Sequence, residues 1–370
     1  MKHASLQHFF SNVEKSSDKW ALYLETYESL FASFRDRPIS ILEIGIQNGG
    51  FTETLAAYFP NATRIVGCDI DEKCGQLVFS DPRISVIVGD ASNSETAARI
   101  NGLSDHFDII IDDGSHTSKD IVAAFCHYFP KLREEGVFIA EDLHCSYWYE
   151  YEGGLAHPFS SMSFFKLLTD VINFEHWGVP QSRQRLLMEV LDHHGFAVDE
   201  DELAKISSVE FFNSVSIVRK RAAASAMLGK RLVSGREFSV ADNAPYNLSD
   251  AFRNDQRGNP FSDLDLISNK HVFGILAGLF SNQEVNKSEQ IEVKRKLDSL
   301  KEETTATAMM QRAEIIERLG TLETKMVQAA MAHYTDVAEK LATMAAKIED
   351  SRRPRTFFEW LHRKLRPERR

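Results

Sequence analysis

Nowhere in these 370 residues do 18 apolar side chains follow one another, so the sequence offers no segment able to cross a bilayer as a helix. A basic surplus is missing too. Lys and Arg number 43 against 54 Asp and Glu, a net charge of −11, which argues against wholesale binding of nucleic acid. Cysteine is scarce: Cys68, Cys74, Cys126 and Cys145 fall at no metal-ligand spacing, and reduced structural thiols in a cytoplasmic protein are expected. The opening "MKHASLQHFFSNVEKSSDKW" lacks the apolar run of a signal peptide. From about 284 to 350 there is no proline, and Gly320 is the sole glycine, so few residues there oppose a long helix.

What is present is enough hydrophobic residue, 43%, for a proper core, in a chain long enough for one domain with extensions or for two domains. Over 40–220 short apolar runs alternate with amphipathic stretches. Strands are expected at 40–46, 63–71, 84–92, 107–114 and 136–143, with helices at 50–60, stopped by Pro60, and at 118–132. That alternation predicts a Rossmann-like, doubly wound α/β sheet. "VEFFNSVSIVRKR" (209–221) reads as an antiparallel edge hairpin, which makes the sheet mixed.

Two strands end alike. "FDIIIDDGSH" closes on paired carboxylates, Gly, Ser and His, and "VFIAEDLHCSYW" repeats the theme about 25 residues later. Two such endings separated by one helix place a polar site at one edge of a parallel sheet. The first strand runs through "LEIGIQNGG" into its helix, and a glycine there lets backbone approach a ligand in front of a helix N-terminus. Asp69, ending the next strand, stands where an acidic side chain takes the hydroxyls of an adenosine ribose, and Asp90 is placed to border the adenine. The loop lacks the third glycine of a dinucleotide fingerprint, so S-adenosylmethionine (SAM) is expected rather than NAD. Glu43, Gly45, Asp69, Asp90, Ala91 and Asp112 form the expected cofactor set.

On the motifs "LEIGIQNGG", "GCDID", "FDIIIDDGSH" and "EDLHCSYW", residues 15–222 resemble class I methyltransferases of the macrocin/mycinamicin type, metal-dependent sugar O-methyltransferases. The resemblance implies that Asp113 and Asp142 bind magnesium and that His116 is the general base, with Asp113 also in the catalytic set. It leaves Glu43 either to complete the metal site or to face the methionyl part of the cofactor. Relatives often carry a second histidine four residues after the first, where this chain has Asp120. Elementary chemistry agrees with these roles. Magnesium takes carboxylate and water oxygens and leaves positions open for substrate. It acidifies and orients a hydroxyl, and a histidine near neutral pKa removes the proton. His144, Tyr147 and Trp148 are candidates for contact with a sugar ring.

Beyond 222 the composition changes. Residues 223–283 read as a linker or extension. Over 284–350, apolar residues recur at steps of three and four (Ile315, Leu319, Leu322, Met326), which predicts a coiled coil and a homo-oligomer. In 351–370 Arg and Lys number eight against two Glu, and Phe357, Phe358, Leu361 and Leu365 share one face. This basic amphipathic tail suits contact with an anionic membrane surface at the inner face, or with a glycosyltransferase. The expected whole is a SAM- and magnesium-dependent O-methyltransferase of surface-polysaccharide or glycoconjugate synthesis acting on a sugar or glycan. The rivals are an enzyme of antibiotic metabolism and a non-catalytic scaffold on a decayed fold. Retention of Glu43, Asp69, Asp113, His116 and Asp142 together speaks against decay.

Overall fold

The computed structural model describes residues 4–251, 254–259, 262, 264, 339, 340, 342 and 343. The coiled coil expected over 284–350 lies outside the described residues, apart from those last four helical positions, and so does the basic stretch 351–370.

Seven strands form one sheet: β1 Ser40–Ile44, β2 Arg64–Asp69, β3 Ile84–Val88, β4 Phe107–Asp112, β5 Leu132–Ala140, β6 Ile206–Phe212 and β7 Val215–Lys220. Their order is β3-β2-β1-β4-β5-β7-β6. The first five are parallel, and β7 runs antiparallel between β5 and β6, so the expected hairpin and mixed sheet are present. Strand order reverses between β1 and β4. Ligands of such sheets bind in the crevice outside the carboxyl ends of the strands at that reversal.

Successive side chains of a strand face opposite ways, and both faces here are apolar. Ile110 with Leu42, Val66 and Phe138 packs under α5 (Ser118–Tyr128), α6 (Ser161–Ile172) and α7 (Arg183–His194). Ile109 and Ile111, with Ile41, Val137 and Ile217, meet α1 (Leu6–Phe10), α2 (Ala21–Phe31) and α3 (Gly50–Tyr58). In α2 Tyr23, Tyr27 and Phe31 repeat every four residues and are all but fully buried, each contributing about 1.5–3 kcal/mol. Shorter α4 (Ser94–Asn101) follows β3, and α8 (Glu200–Leu203) precedes β6.

Most expected boundaries move by a few residues, β3 ending at Val88 rather than 92 and β5 starting at Leu132 rather than 136, and two have a plain cause. The helix expected to reach 132 ends at Tyr128, because Pro130 has no amide hydrogen to continue it; one 3-10 turn follows, and β5 starts at Leu132. At its other end β5 stops at Ala140 rather than 143, since Asp142 is left-handed, with φ of 51°. Residues 226–250 are largely exposed and irregular, touching the rest where Leu228 N–H donates to Glu175; farther along, Gln256 N–H donates to the Gly178 carbonyl.

Candidate active site

The loops after β1 and β4 meet at the sheet's reversal point. Gly45 has φ of +86°, and a β-carbon there would lie 1.9 Å from the carbonyl oxygen of Asp113. Only glycine lets the two loops close on each other. Gly49, also left-handed, opens α3. The chain at 15–16 lies against that helix start, within 2.3 Å of where a β-carbon on Gly50 would sit.

These loops border a cavity of about 380 Å³, within the range of small-molecule sites. Glu43, Gly45, Asp69, Asp90, Ala91 and Asp112, the expected cofactor set, all line it, as do Asp113, His116, Asp120 and Asp142. Asp69 sits at the end of β2, where its carboxylate accepts the Gln47 amide at 2.8 Å and the Asp71 amide at 2.9 Å, so it braces the glycine loop. Asp90 accepts from the amide and hydroxyl of Ser92 at 2.9 and 2.7 Å. Asp120 accepts the Ser115 hydroxyl at 2.5 Å.

Asp113, His116 and Asp142 converge: each offers a ligand atom within 4.8 Å of the others. His116 Nε2 lies 3.6 Å from Asp142 Oδ2. Both His116 (φ 61°) and Asp142 (φ 51°) occupy left-handed backbone, which disfavours non-glycine residues and persists where surrounding structure enforces it. Tyr23 supplies part of that enforcement, donating its hydroxyl to Asp142 Oδ1 at 2.7 Å, while the Trp20 indole donates to the same oxygen at 3.2 Å. Glu43 stands apart from this trio. Its carboxylate accepts from Thr52 at 2.6 Å, and burial pushes its pKa up to about 7.

Beneath the trio lies a charged group that the sequence did not reveal. Lys19, with a side chain 3% exposed, reaches Asp113 Oδ2 at 2.5 Å and Glu141 at 2.8 Å, and Tyr27 donates to Glu141 at 2.7 Å. Burial alone would lower the Lys19 pKa, but Glu141 and Asp113 outweigh it and hold the ammonium charged. Burial raises Asp113 and Glu141, with Lys19 opposing the rise in each. Around this ammonium stand the carboxyl groups of Glu43, Asp112, Asp113, Glu141 and Asp142, and burial favours the protonated form of Glu43, Asp112 and Glu141. Asp112 is 5% exposed, burial pushes its pKa well up, and Oδ2 has no hydrogen-bond partner. A cationic or N–H-bearing ligand in the cavity would satisfy it. Two carboxylates with open space beside them suit a hard, oxygen-seeking divalent ion.

His144 faces the site, its Nδ1 3.8 Å from Asp142 Oδ1 and 2.5 Å from the Ser214 hydroxyl. Trp148 meets its ring edge-on at 5.0 Å, and Trp20 does so at 6.1 Å. Tyr147 lines a second cavity with His144. Of the contributors given no role from the sequence, Lys19, Trp20, Tyr23 and Tyr27 carry one faint signal, the aromatic spacing in "KWALYLETY", Glu141 stood only as one of the paired carboxylates of "VFIAEDLHCSYW", and Ser214 carries none. Nothing in that spacing points to strands more than 90 residues away.

Residues 15–166 match the FtsJ-like methyltransferase family. The chain is 35% identical over 170 residues to the 8-demethyl-8-alpha-L-rhamnosyl tetracenomycin-C 2'-O-methyltransferase of Streptomyces olivaceus, covering 43% of each chain. It is 32% identical over 170 residues to the mycinamicin VI 2''-O-methyltransferase of Micromonospora griseorubida, covering 43% of this chain and 41% of that one. It thus spans less than half the length of these curated relatives. Among solved structures, the MycE methyltransferase of the mycinamycin pathway, in complex with Mg and SAH, superposes with a TM-score of 0.51 at 24% identity over 61% of this chain and 57% of the other. The likeness is one of fold: the seven-stranded mixed sheet is that of a Rossmann-like methyltransferase.

Proposed function

We propose that this chain is a SAM- and magnesium-dependent O-methyltransferase acting on a sugar hydroxyl. The observation that carries the reading is the convergence of Asp113, His116 and Asp142 beside a cavity lined by Asp69, Asp90 and Asp112. The relatives support the acceptor class, since the tetracenomycin enzyme named above methylates a rhamnosyl compound by its name. The Mg and SAH bound to MycE support the pair of cofactors.

In this reading Asp69 takes the ribose hydroxyls, Asp90 and Ala91 border the adenine, and Gly45, Glu43 and the unpartnered oxygen of Asp112 face the methionyl end. Asp113 and Asp142 would hold the ion, which when bound would supply Lewis acidity to the acceptor hydroxyl. His116 shares the same space, so its imidazole would take up the hydroxyl proton. Trp20 and Tyr23 fix the Asp142 carboxylate, and Lys19 fixes that of Asp113.

Two acceptor classes fit. The basic stretch 352–370 and the apolar seam at 284–350 favour a surface glycan made at a membrane by an oligomer. The tetracenomycin and mycinamicin relatives favour a glycosylated small metabolite. Calorimetry with SAM, then methyl-transfer assays with and without EDTA, test the common core. Asp113→Ala and Asp142→Ala are expected to bind SAM yet lose metal binding and turnover. His116→Ala is expected to keep both ligands and lose about 10²–10⁴-fold in kcat. Full turnover after EDTA and dialysis would refute the metal role, and absence of SAM binding would refute the whole.

A further inference from the structure

The β6–β7 hairpin stands outside the parallel part of the sheet, yet its tip reaches the site. Because β7 runs antiparallel to β5, its first residues lie beside the last ones of β5, with Ser216 paired to Ala140. The two-residue turn at 213–214 is thereby brought to the chain that follows β5. Ser214 has φ of 70°, a left-handed position that glycine fills at least cost in so short a turn. Serine stands there instead, and both of its oxygens are engaged. Its carbonyl accepts the Leu143 amide at 2.9 Å and lies 3.3 Å from the Tyr23 hydroxyl. Its own hydroxyl accepts the His144 amide at 3.3 Å and stands 2.5 Å from His144 Nδ1.

Asp142 lies just ahead of the two residues that Ser214 grips. The Tyr23 hydroxyl donates to Asp142 Oδ1 at 2.7 Å and accepts the Asp142 amide at 3.2 Å. The left-handed backbone of Asp142 is thus held from one side by Tyr23 and from the other by a turn fastened to the hairpin. Strained residues of this kind persist where neighbours over-determine them, and two of them here, Asp142 and Ser214, support one another. We propose that Ser214 is a positioning residue for the metal site: its hydroxyl, by fixing His144, keeps the Asp142 carboxylate aimed at the space it shares with Asp113 and His116. Removing a support one step behind a metal ligand ordinarily costs about 10–100-fold in metal affinity. The inference rests on the metal role given to Asp142 above and adds a residue to it.

The test reads manganese binding by the full chain with SAH, using calorimetry and electron paramagnetic resonance, alongside SAM affinity and thermal unfolding. Ser214→Gly removes the hydroxyl and relaxes the left-handed residue, whereas Ser214→Ala removes the same hydroxyl and leaves the strain in place. Both should weaken manganese binding about tenfold, with SAM affinity within about twofold of the wild type. Ser214→Gly should nevertheless unfold at a higher temperature than Ser214→Ala. Tyr23→Phe should also weaken manganese binding. The variant carrying both Tyr23→Phe and Ser214→Gly should lose less than the product of the two single losses, because both hydroxyls serve one carboxylate. Weakened metal binding in Ser214→Ala alone would trace the effect to backbone strain and overturn the proposal. So would wild-type manganese affinity in both Ser214 variants, the full product in the double variant, or a loss of SAM affinity equal to that of manganese, which would mark a general loosening of the fold. Absence of manganese binding by a wild-type chain that binds SAM would instead overturn the metal reading of Asp113 and Asp142, and this inference with it.

Discussion

The ammonium of Lys19 lies 2.5 Å from the carboxylate of Asp113, tying a segment near the start of the chain to the end of β4. The same ammonium reaches Glu141, 1% exposed at the end of β5. Removing it leaves buried carboxylates without a counter-charge. Lys19→Met is therefore expected to destabilise the fold by about 3–5 kcal/mol. Chemical denaturation measures this, and adding Glu141→Leu should recover a good part of the loss. A single variant as stable as the wild type would show that the pair contributes nothing.

Gly45→Ala tests the closure between the β1 and β4 loops. A left-handed alanine costs about 1–2 kcal/mol before any clash, and here the new carbon would also displace the Asp113 carbonyl. Because Asp113 carries a proposed metal ligand, manganese affinity should fall together with stability. Calorimetry showing a full-strength metal site in a folded Gly45→Ala protein would break the link between the loops.

Glu43 predicts a pH dependence. Its pKa rises from 4.5 to about 7 because burial disfavours the charge. The folded chain therefore holds this proton more tightly than the unfolded chain does. The associated stability is fully present below pH 4.5 and is lost as pH rises through about 7, a change of about 3 kcal/mol. Urea denaturation of ligand-free wild type at pH 5 and pH 8 should show that loss, and Glu43→Gln, which retains a partner for Thr52, should lack it. Parallel pH profiles for the two proteins would contradict the prediction.

Truncation after Lys270 keeps every strand-end residue of the site. The shortened chain should bind SAM with unchanged affinity and sediment as a smaller species than the full chain. Loss of SAM binding would mean that residues beyond 270 complete the site.

Much of the architecture was legible because period and punctuation agree. Isoleucine-rich β4 and the glycine loop after β1 announce a parallel sheet, and Asp112, Asp113 and His116, at and just beyond the end of β4, gather three titratable groups at one sheet edge. The hairpin was readable from 209–221, but not that β7 would insert between β5 and β6, since both strands are about equally apolar. Lys19 was invisible for a different reason. Its meaning lies in Asp113 and Glu141, and sequence distance carries no trace of a pairing made only when α2 docks. Helix α5 ended early because one proline outweighed an otherwise continuous amphipathic pattern.

Tyr23 donates to Asp142 and, at 3.3 Å, to the carbonyl of Ser214, and the α2 core includes Val215 and Ile217 of β7. A ribosome releases α2 early, yet its last partners emerge nearly two hundred residues later. Until β7 pairs beside β5, the face of α2 carrying Tyr23, Tyr27 and Phe31 lacks part of its seat. For about half of its synthesis the nascent chain thus carries α2 without that part of its seat, and Asp142 gains its Tyr23 contact only when the helix settles. How long that part of the helix waits is accordingly set by the distance along the chain between α2 and the hairpin that closes the sheet.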